Sequence, residues 1–241
     1  MATIAIYSLK GGVGKTTLAV NLAWCAAALS ARRTLLWDLD PQAAATWVLS
    51  GGTTDKRRGI DQAQAMFSKD IGVRQQARPT AYPQLDLIGA DASLRGLDQL
   101  FHDLDKKKRL TKLVSELAGY DRVVLDCPPG LTETADQVMR AADLIVIPVI
   151  PSPLATRAYD GVVAHLSGRT PLLPVHVMVD KRRALHAEAL ARHPDWPVVP
   201  MASGIEAMAS KRAPVGVFLP KSSAARAFAD LWRRIEQRLA A

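Results

Sequence analysis

Cysteine is almost absent from this 241-residue chain: Cys25 and Cys127 are the whole supply. Two distant thiols cannot build a disulfide framework, a zinc site or an iron–sulfur cluster. Each sits in an apolar segment where a buried, reduced thiol is the expected state. The five histidines contain no H-x-x-x-H pair, and His186 and His193, two turns apart on an expected helix, read as surface residues. Long apolar runs are also missing. The run at residues 144–150 is short and broken by Pro148, and the first residues lack the basic region and cleavage site of a signal peptide. Neither an internal repeat nor a low-complexity linker is visible. The expectation is a reduced, cytoplasmic protein without a membrane span, folded as a single domain over residues 1–241. Its 49% apolar content is enough for a sizeable core.

Acidic residues are the minority charge, with 23 Asp and Glu against 31 Lys and Arg, a formal net charge of +8 and a pI near 9.7. The excess is uneven. Residues 1–150 hold 18 basic and 16 acidic side chains, whereas residues 151–241 hold 13 and 7. An extended anionic partner for the C-terminal part is therefore a working expectation.

Six short apolar runs read as strands, at residues 3–8, 34–38, 85–88, 122–126, 144–149 and 175–179. Helical stretches fall at 16–29, 92–118, 132–142, 154–166 and 184–193. Continuous apolar strands separated by helices indicate an α/β fold, a mainly parallel twisted sheet covered on both faces. Ligands in such folds sit at the carboxyl ends of the strands. Residues 51–78 differ, with glycine, threonine, a Lys56-Arg57-Arg58 cluster and a weak helical patch at 60–67, and are expected to form a mobile excursion. In the last stretch Phe228, Leu231, Trp232, Ile235 and Leu239 fall on one face of a helix.

Chemistry concentrates in Lys10-Gly11-Gly12-Val13-Gly14-Lys15-Thr16-Thr17, which follows a strand and opens a helix. Three glycines let backbone N–H groups turn onto phosphate oxygens. Lys15 can reach terminal phosphates, Thr16 can ligate Mg²⁺, and the helix N-terminus adds its dipole. The standard G-x-x-x-x-G-K-[ST] pattern misses here because Leu9 stands where its first glycine belongs. The extra Lys10 makes the loop similar to the deviant Walker A motif of the ParA/MinD ATPases. The likeness extends to Leu36-Trp-Asp38-Leu-Asp40-Pro-Gln42, to Tyr120-Asp-Arg-Val-Val-Leu-Asp126-Cys-Pro-Pro129, to the strand after Asp143 and to residues 214–224. Departures are Tyr7-Ser8-Leu9 before the loop, Ala43-Ala44-Ala45 after the second motif, and Cys127 where threonine is common. The chain resembles the small partition and positioning members of this family that lack an N-terminal helix-turn-helix.

That resemblance implies ATP and Mg²⁺ as cofactors, Asp126 holding the metal through water, Asp40 positioning the attacking water, and Asp38 near the metal's hydration shell. Either aspartate could instead cap the following helix. Lys10 is implied to cross to a partner's nucleotide in an ATP-dependent homodimer. Asp180, Phe218 and Pro220 are the implied base contacts. The implied role is a positioning ATPase on the nucleoid, released by a ParB-like or other adaptor that stimulates hydrolysis. Lys181, Arg182, Arg183, Lys211 and Arg212 are its candidate contacts to DNA phosphates. The alternatives are a MinD-like membrane-cycling regulator, using the final amphipathic helix, or an accessory ATPase of a secretion or cellulose-synthesis system.

Overall fold

The computed structural model describes residues 1–51, 62–68, 72–104, 108–166 and 170–240. In chain order the elements are β1 (Ala2–Ile6), α1 (Lys15–Ser30), β2 (Thr34–Asp38), α2 (Ala44–Leu49), α3 (Gln62–Ser68), β3 (Arg78–Pro79), β4 (Leu85–Ile88), α4 (Leu97–Leu104), α5 (Arg109–Ser115) and β5 (Arg122–Asp126). They continue with α6 (Glu133–Ala141), β6 (Leu144–Val149), α7 (Pro153–Leu166), β7 (Leu172–Val179), α8 (Ala184–Arg192) and β8 (Val198–Pro200). Three one-turn helices, α9 (Ser203–Glu206), α10 (Met208–Lys211) and α11 (Val215–Phe218), lead to α12 (Ser223–Ala240).

The strands form one sheet in the order β3-β4-β2-β5-β1-β6-β7-β8, parallel throughout except for the antiparallel edge pair β3 and β4. Side chains alternate between two cores. Ile4, Ile6, Leu36 and Val124 face the layer of α1 and α12, while Ala5, Leu35, Trp37, Val123 and Leu125 face the layer of α3 to α7. Both faces are thus covered, as the unbroken apolar strands require.

Helix α1 is apolar around most of its circumference because it is enclosed, with Leu18, Leu22 and Cys25 buried. Helix α12 lays Phe228, Leu231, Trp232 and Ile235 against it. Trp232 donates its indole N–H to Ser30 Oγ at 2.7 Å. At the far end of the sheet Glu236 accepts from Arg122 at 2.6 Å and from Arg32 at 3.2 Å.

All six expected strands are present, and three features differ from expectation. The edge strands β3 and β8 are only two and three residues long, below what period-2 patterning can reveal. The expected helix at 92–118 is interrupted: Asp91 accepts from the N–H of Ser93 at 2.9 Å and starts a 3-10 turn at Ala92–Gly96, and α4 and α5 follow separately. The expected excursion at 51–78 is docked where it is described. Helix α3 places Phe67 5.8 Å from Trp37 and 5.3 Å from Phe101, between ring centroids. Most of the rest of that excursion, including Lys56-Arg57-Arg58, lies outside the described residues.

Among the described glycines, Gly216 of α11 lies closest to a neighbouring side chain, the half-buried Trp24. A Cβ there would collide with ring atoms of Trp24. Gly216→Ala should therefore cost about 1–3 kcal/mol through overpacking, and lower the melting temperature by several degrees in scanning calorimetry.

Candidate nucleotide site

The site forms where three parallel strands end together. Ile6 of β1 pairs in register with Asp126 of β5, and Asp126 pairs with Asp38 of β2. The loop from Lys10 to Gly14 leaves the end of β1 and turns into α1. Gly14 holds φ 84°, a left-handed conformation that favours glycine, at the position just before the helix. Gly11 and Gly12 face open space on the side where a Cβ would stand. Val13 is buried, Thr16 and Thr17 are half-buried, and Lys15 is buried, its ammonium donating to the carbonyl of Lys10 at 3.2 Å. Burial lowers the Lys15 pKa, and the nearby Asp126 and Asp40 carboxylates oppose that shift. Lys10 is half-buried at the loop mouth.

Asp126 is fully buried, and neither of its carboxylate oxygens has a hydrogen-bond partner among the described residues. Burial raises its pKa well above the usual carboxylate value, and the charge of Asp38 adds to the effect, while the nearby Thr16 hydroxyl favours its ionised form. An unpartnered buried carboxylate beside a phosphate-type loop fits a hydrated divalent cation, which needs one or two protein ligands plus phosphate oxygens. Among the described residues no group of three His, Cys, Asp or Glu side chains could hold a metal alone.

Asp38 has a different setting. Its Oδ2 accepts from the Thr46 N–H at 2.9 Å and the Thr46 hydroxyl at 2.7 Å, and its Oδ1 accepts from the Asp40 N–H at 3.1 Å. It thereby satisfies an orphan donor in the first turn of α2, the capping alternative for this residue. Burial pushes its pKa up to about 6 despite these bonds. Asp40 is half-buried and accepts from the Gln42 N–H at 2.9 Å. The structure thus brings Lys15, Thr16, Asp38, Asp40 and Asp126 to one end of the sheet.

Asp180, Phe218 and Pro220 are not brought into the hollow beside this loop. The Asp180 carboxylate receives two bonds of 2.9 Å from the Arg182 guanidinium, which holds its pKa down at about 2. Phe218 packs partly buried against the core, and Pro220 is exposed. An apolar cavity of about 100 Å³ lies instead between Gly14 and Thr17 on one side and Met178, Pro200, Met201 and Ile205 on the other. Met178 reaches it from a β7 irregularity, at φ 54°. The Val198-Val-Pro200 triplet was the available signal for this wall, but three residues are too few to read as a strand. His186 is buried, its Nδ1 accepting from the Asp180 N–H at 3.0 Å, contrary to the surface expectation.

Of the basic candidates, Lys181 and Arg183 are exposed in the turn before α8, and Lys211 is exposed on α10. Arg182 is engaged by Asp180, and Arg212 lies over the Trp47 ring, 3.7 Å from its centroid.

Residues 1–167 match the AAA domain family. The chain belongs to the ParA/MinD family of P-loop ATPases. It is 35% identical over 149 residues to the sporulation initiation inhibitor protein Soj of Bacillus subtilis, a stretch covering 61% of this chain and 57% of Soj. It is 35% identical over 153 residues to the chromosome partitioning protein ParA of Caulobacter vibrioides, covering 62% and 56%. The matches therefore span little more than half the length of these relatives. The septum site-determining protein MinD of Pyrococcus horikoshii, solved with Mg-ADP, shares the fold with a TM-score of 0.79 at 21% identity, covering 99% of this chain and 97% of that one.

The buried Asp38–Asp126 pair binds protons more tightly in the folded than in the unfolded chain. Its favourable contribution is largest at low pH and is lost as pH rises from about 4 through the Asp38 value of about 6. Asp126→Asn should accordingly raise the melting temperature of the nucleotide-free protein at pH 7.5, by about 2–4 °C for each kcal/mol relieved, and change it little at pH 4.5. A melting-temperature difference that stays constant across that pH range would contradict this account.

Proposed function

We propose that the protein is a Mg²⁺-dependent ATPase that positions or partitions a cargo. In this reading it forms an ATP-bound homodimer, coats DNA without sequence preference, and is released when a ParB-like or other adaptor stimulates hydrolysis. The cargo is a plasmid, a chromosome region or a protein complex, and the setting is the nucleoid in the cytoplasm. The observation that carries the proposal is the buried, unpartnered Asp126 carboxylate beside Lys15 and Thr16 at the mouth of a glycine loop.

The residues divide the work. Backbone N–H groups of residues 11–17, with the dipole of α1, hold the phosphates, and the Lys15 ammonium neutralises their terminal charge. Thr16 and Asp126 hold Mg²⁺, with Asp38 behind them. The bound Mg²⁺ supplies charge stabilisation across the phosphate oxygens. Asp40, at the end of the same segment, orients the attacking water. Lys10 has no phosphate contact left to make in its own loop, and reaches the partner's nucleotide. The cavity against Met178 and Pro200 takes the base.

The membrane-cycling alternative needs an amphipathic helix with a free apolar face. Helix α12 uses that face against α1, and no helix among the described residues is long and apolar enough to cross a membrane. The positive surface therefore favours DNA as the partner. Lys181, Arg183 and Lys211 make no side-chain hydrogen bond or ion pair with the described residues, so their charge is available to phosphates.

Two substitutions separate binding from assembly. Lys15→Ala should lose affinity for a fluorescent ATP analogue at least tenfold, because phosphate charge is left uncompensated. Lys10→Ala should bind the analogue normally yet show no ATP-dependent rise in mass by light scattering. An undiminished Lys10→Ala dimer would remove the cross-subunit role.

DNA binding should be stronger with ATP, indifferent to sequence and steeply weakened by salt. Alanine at Lys181, Arg183 or Lys211 should each flatten the log–log salt slope by roughly 1. Arg182→Ala should change it less, since that guanidinium is committed to Asp180. Gel shifts on two unrelated duplexes at several salt concentrations measure this, and ATP-independent binding would reject the nucleoid role.

A further inference from the structure

Arg212 differs from the other four basic candidates in lying over an aromatic ring. It ends α10 in the left-handed conformation, φ 47°, a strained setting for a side chain with a Cβ. There its guanidinium lies over the indole of Trp47, 3.7 Å from the ring centroid. Trp47 belongs to α2, is 45% exposed, and so draws limited support from the core. Helix α2 has six residues, too few to persist without tertiary contacts.

The next residue inward is Thr46. It gives Asp38 both its N–H and its hydroxyl, and its Oγ1 accepts from the Ala90 N–H at 2.9 Å. Asp38 in turn accepts from the Asp40 N–H. An unbroken series of contacts therefore runs from Arg212 through Trp47, Thr46 and Asp38 to the backbone of Asp40.

We propose that Arg212 and Trp47 are positioning residues for the nucleotide site. Their stack holds the outer face of α2, and α2 holds the segment from Asp38 to Asp40 in place. The inference rests on the ATPase reading and gives Arg212 a role that does not depend on DNA. A guanidinium seated on an indole face keeps its in-plane N–H donors, so the stack adds a structural role without using up the charge.

The test is carried out on the full chain without DNA. Arg212→Ala and Trp47→Leu should each lower kcat by about two- to fivefold, the range expected for loss of an exposed cation–π contact, with KM changed less than twofold. Both should speed deuterium exchange at the amides of residues 44–49 in nucleotide-free protein. Arg212→Lys and Trp47→Phe keep a cation and a ring, and should restore most of both readouts. The double variant should be no worse than either single one, because both remove the same contact. Unchanged exchange and kcat in Arg212→Ala, or additive losses in the double variant, would overturn the proposal. So would exchange that rises equally in α2 and α12, since that reports general loosening. A wild-type chain that binds no ATP would instead sink the ATPase reading, while the nucleotide-free exchange arm would still decide whether the stack holds α2.

Discussion

Two carboxylates buried side by side at the ends of adjacent parallel strands form the constraint around which the rest of the structure is arranged. Register alone puts them there: β2 and β5 pair so that Asp38 and Asp126 are direct neighbours. A one-residue slip would separate the two carboxylates and turn every side chain of the slipped strand to the opposite face of the sheet. The two acids are resolved differently. Asp38 spends its oxygens on Thr46 and Asp40, whereas Asp126 has no hydrogen-bond partner for either oxygen among the described residues. Buried negative charge of this kind is tolerable only with a proton or a cation nearby, and Lys15 arrives on the first turn of α1.

The scaffold behind the pair is packed on both sides. Helix α1 carries the phosphate loop on its N-terminus and is enclosed by the sheet and α12. Asn21, buried on α1, donates to the Thr17 carbonyl and accepts from the Val215 N–H at 2.9 Å, tying the loop-bearing helix to the late segment. On the opposite face Tyr7, at the end of β1, donates its hydroxyl to the Gly130 carbonyl at 2.8 Å. The loop after Asp126 is thereby pinned to the strand that enters the phosphate loop.

Net charge says less about the surface than the pairing of each cation does. Arg32 and Arg122 converge on Glu236, Arg182 returns to Asp180, Arg233 meets Asp230, and Arg212 covers Trp47. The exposed ones, such as Arg233 with Asp230, contribute little to stability, yet such pairs decide which charges face a partner. Of the five candidate contacts, Lys181, Arg183 and Lys211 are left for that purpose.

The sequence by itself determined the sheet of central strands, the glycine loop and the two aspartate motifs, because each depends on local pattern. Apolar runs such as residues 122–126 have one low-energy use, and a loop that needs left-handed backbone at residue 14 is written in glycine. The break within residues 92–118 and the docking of α3 were not legible, since they depend on a side-chain bond at Asp91 and on rings at positions 37, 67 and 101 that meet only when folded. The same holds for the apolar hollow beside Gly14, whose walls come from segments some 160 or more residues away in the chain. Tertiary structure also decided that Asp38 is held by Thr46, that Arg182 is paired with Asp180, that Arg212 lies over Trp47, and that the face of α12 is buried. Hydrogen bonds, ion pairs and ring contacts are set by proximity in space, and a one-dimensional pattern records only which groups are available to make them.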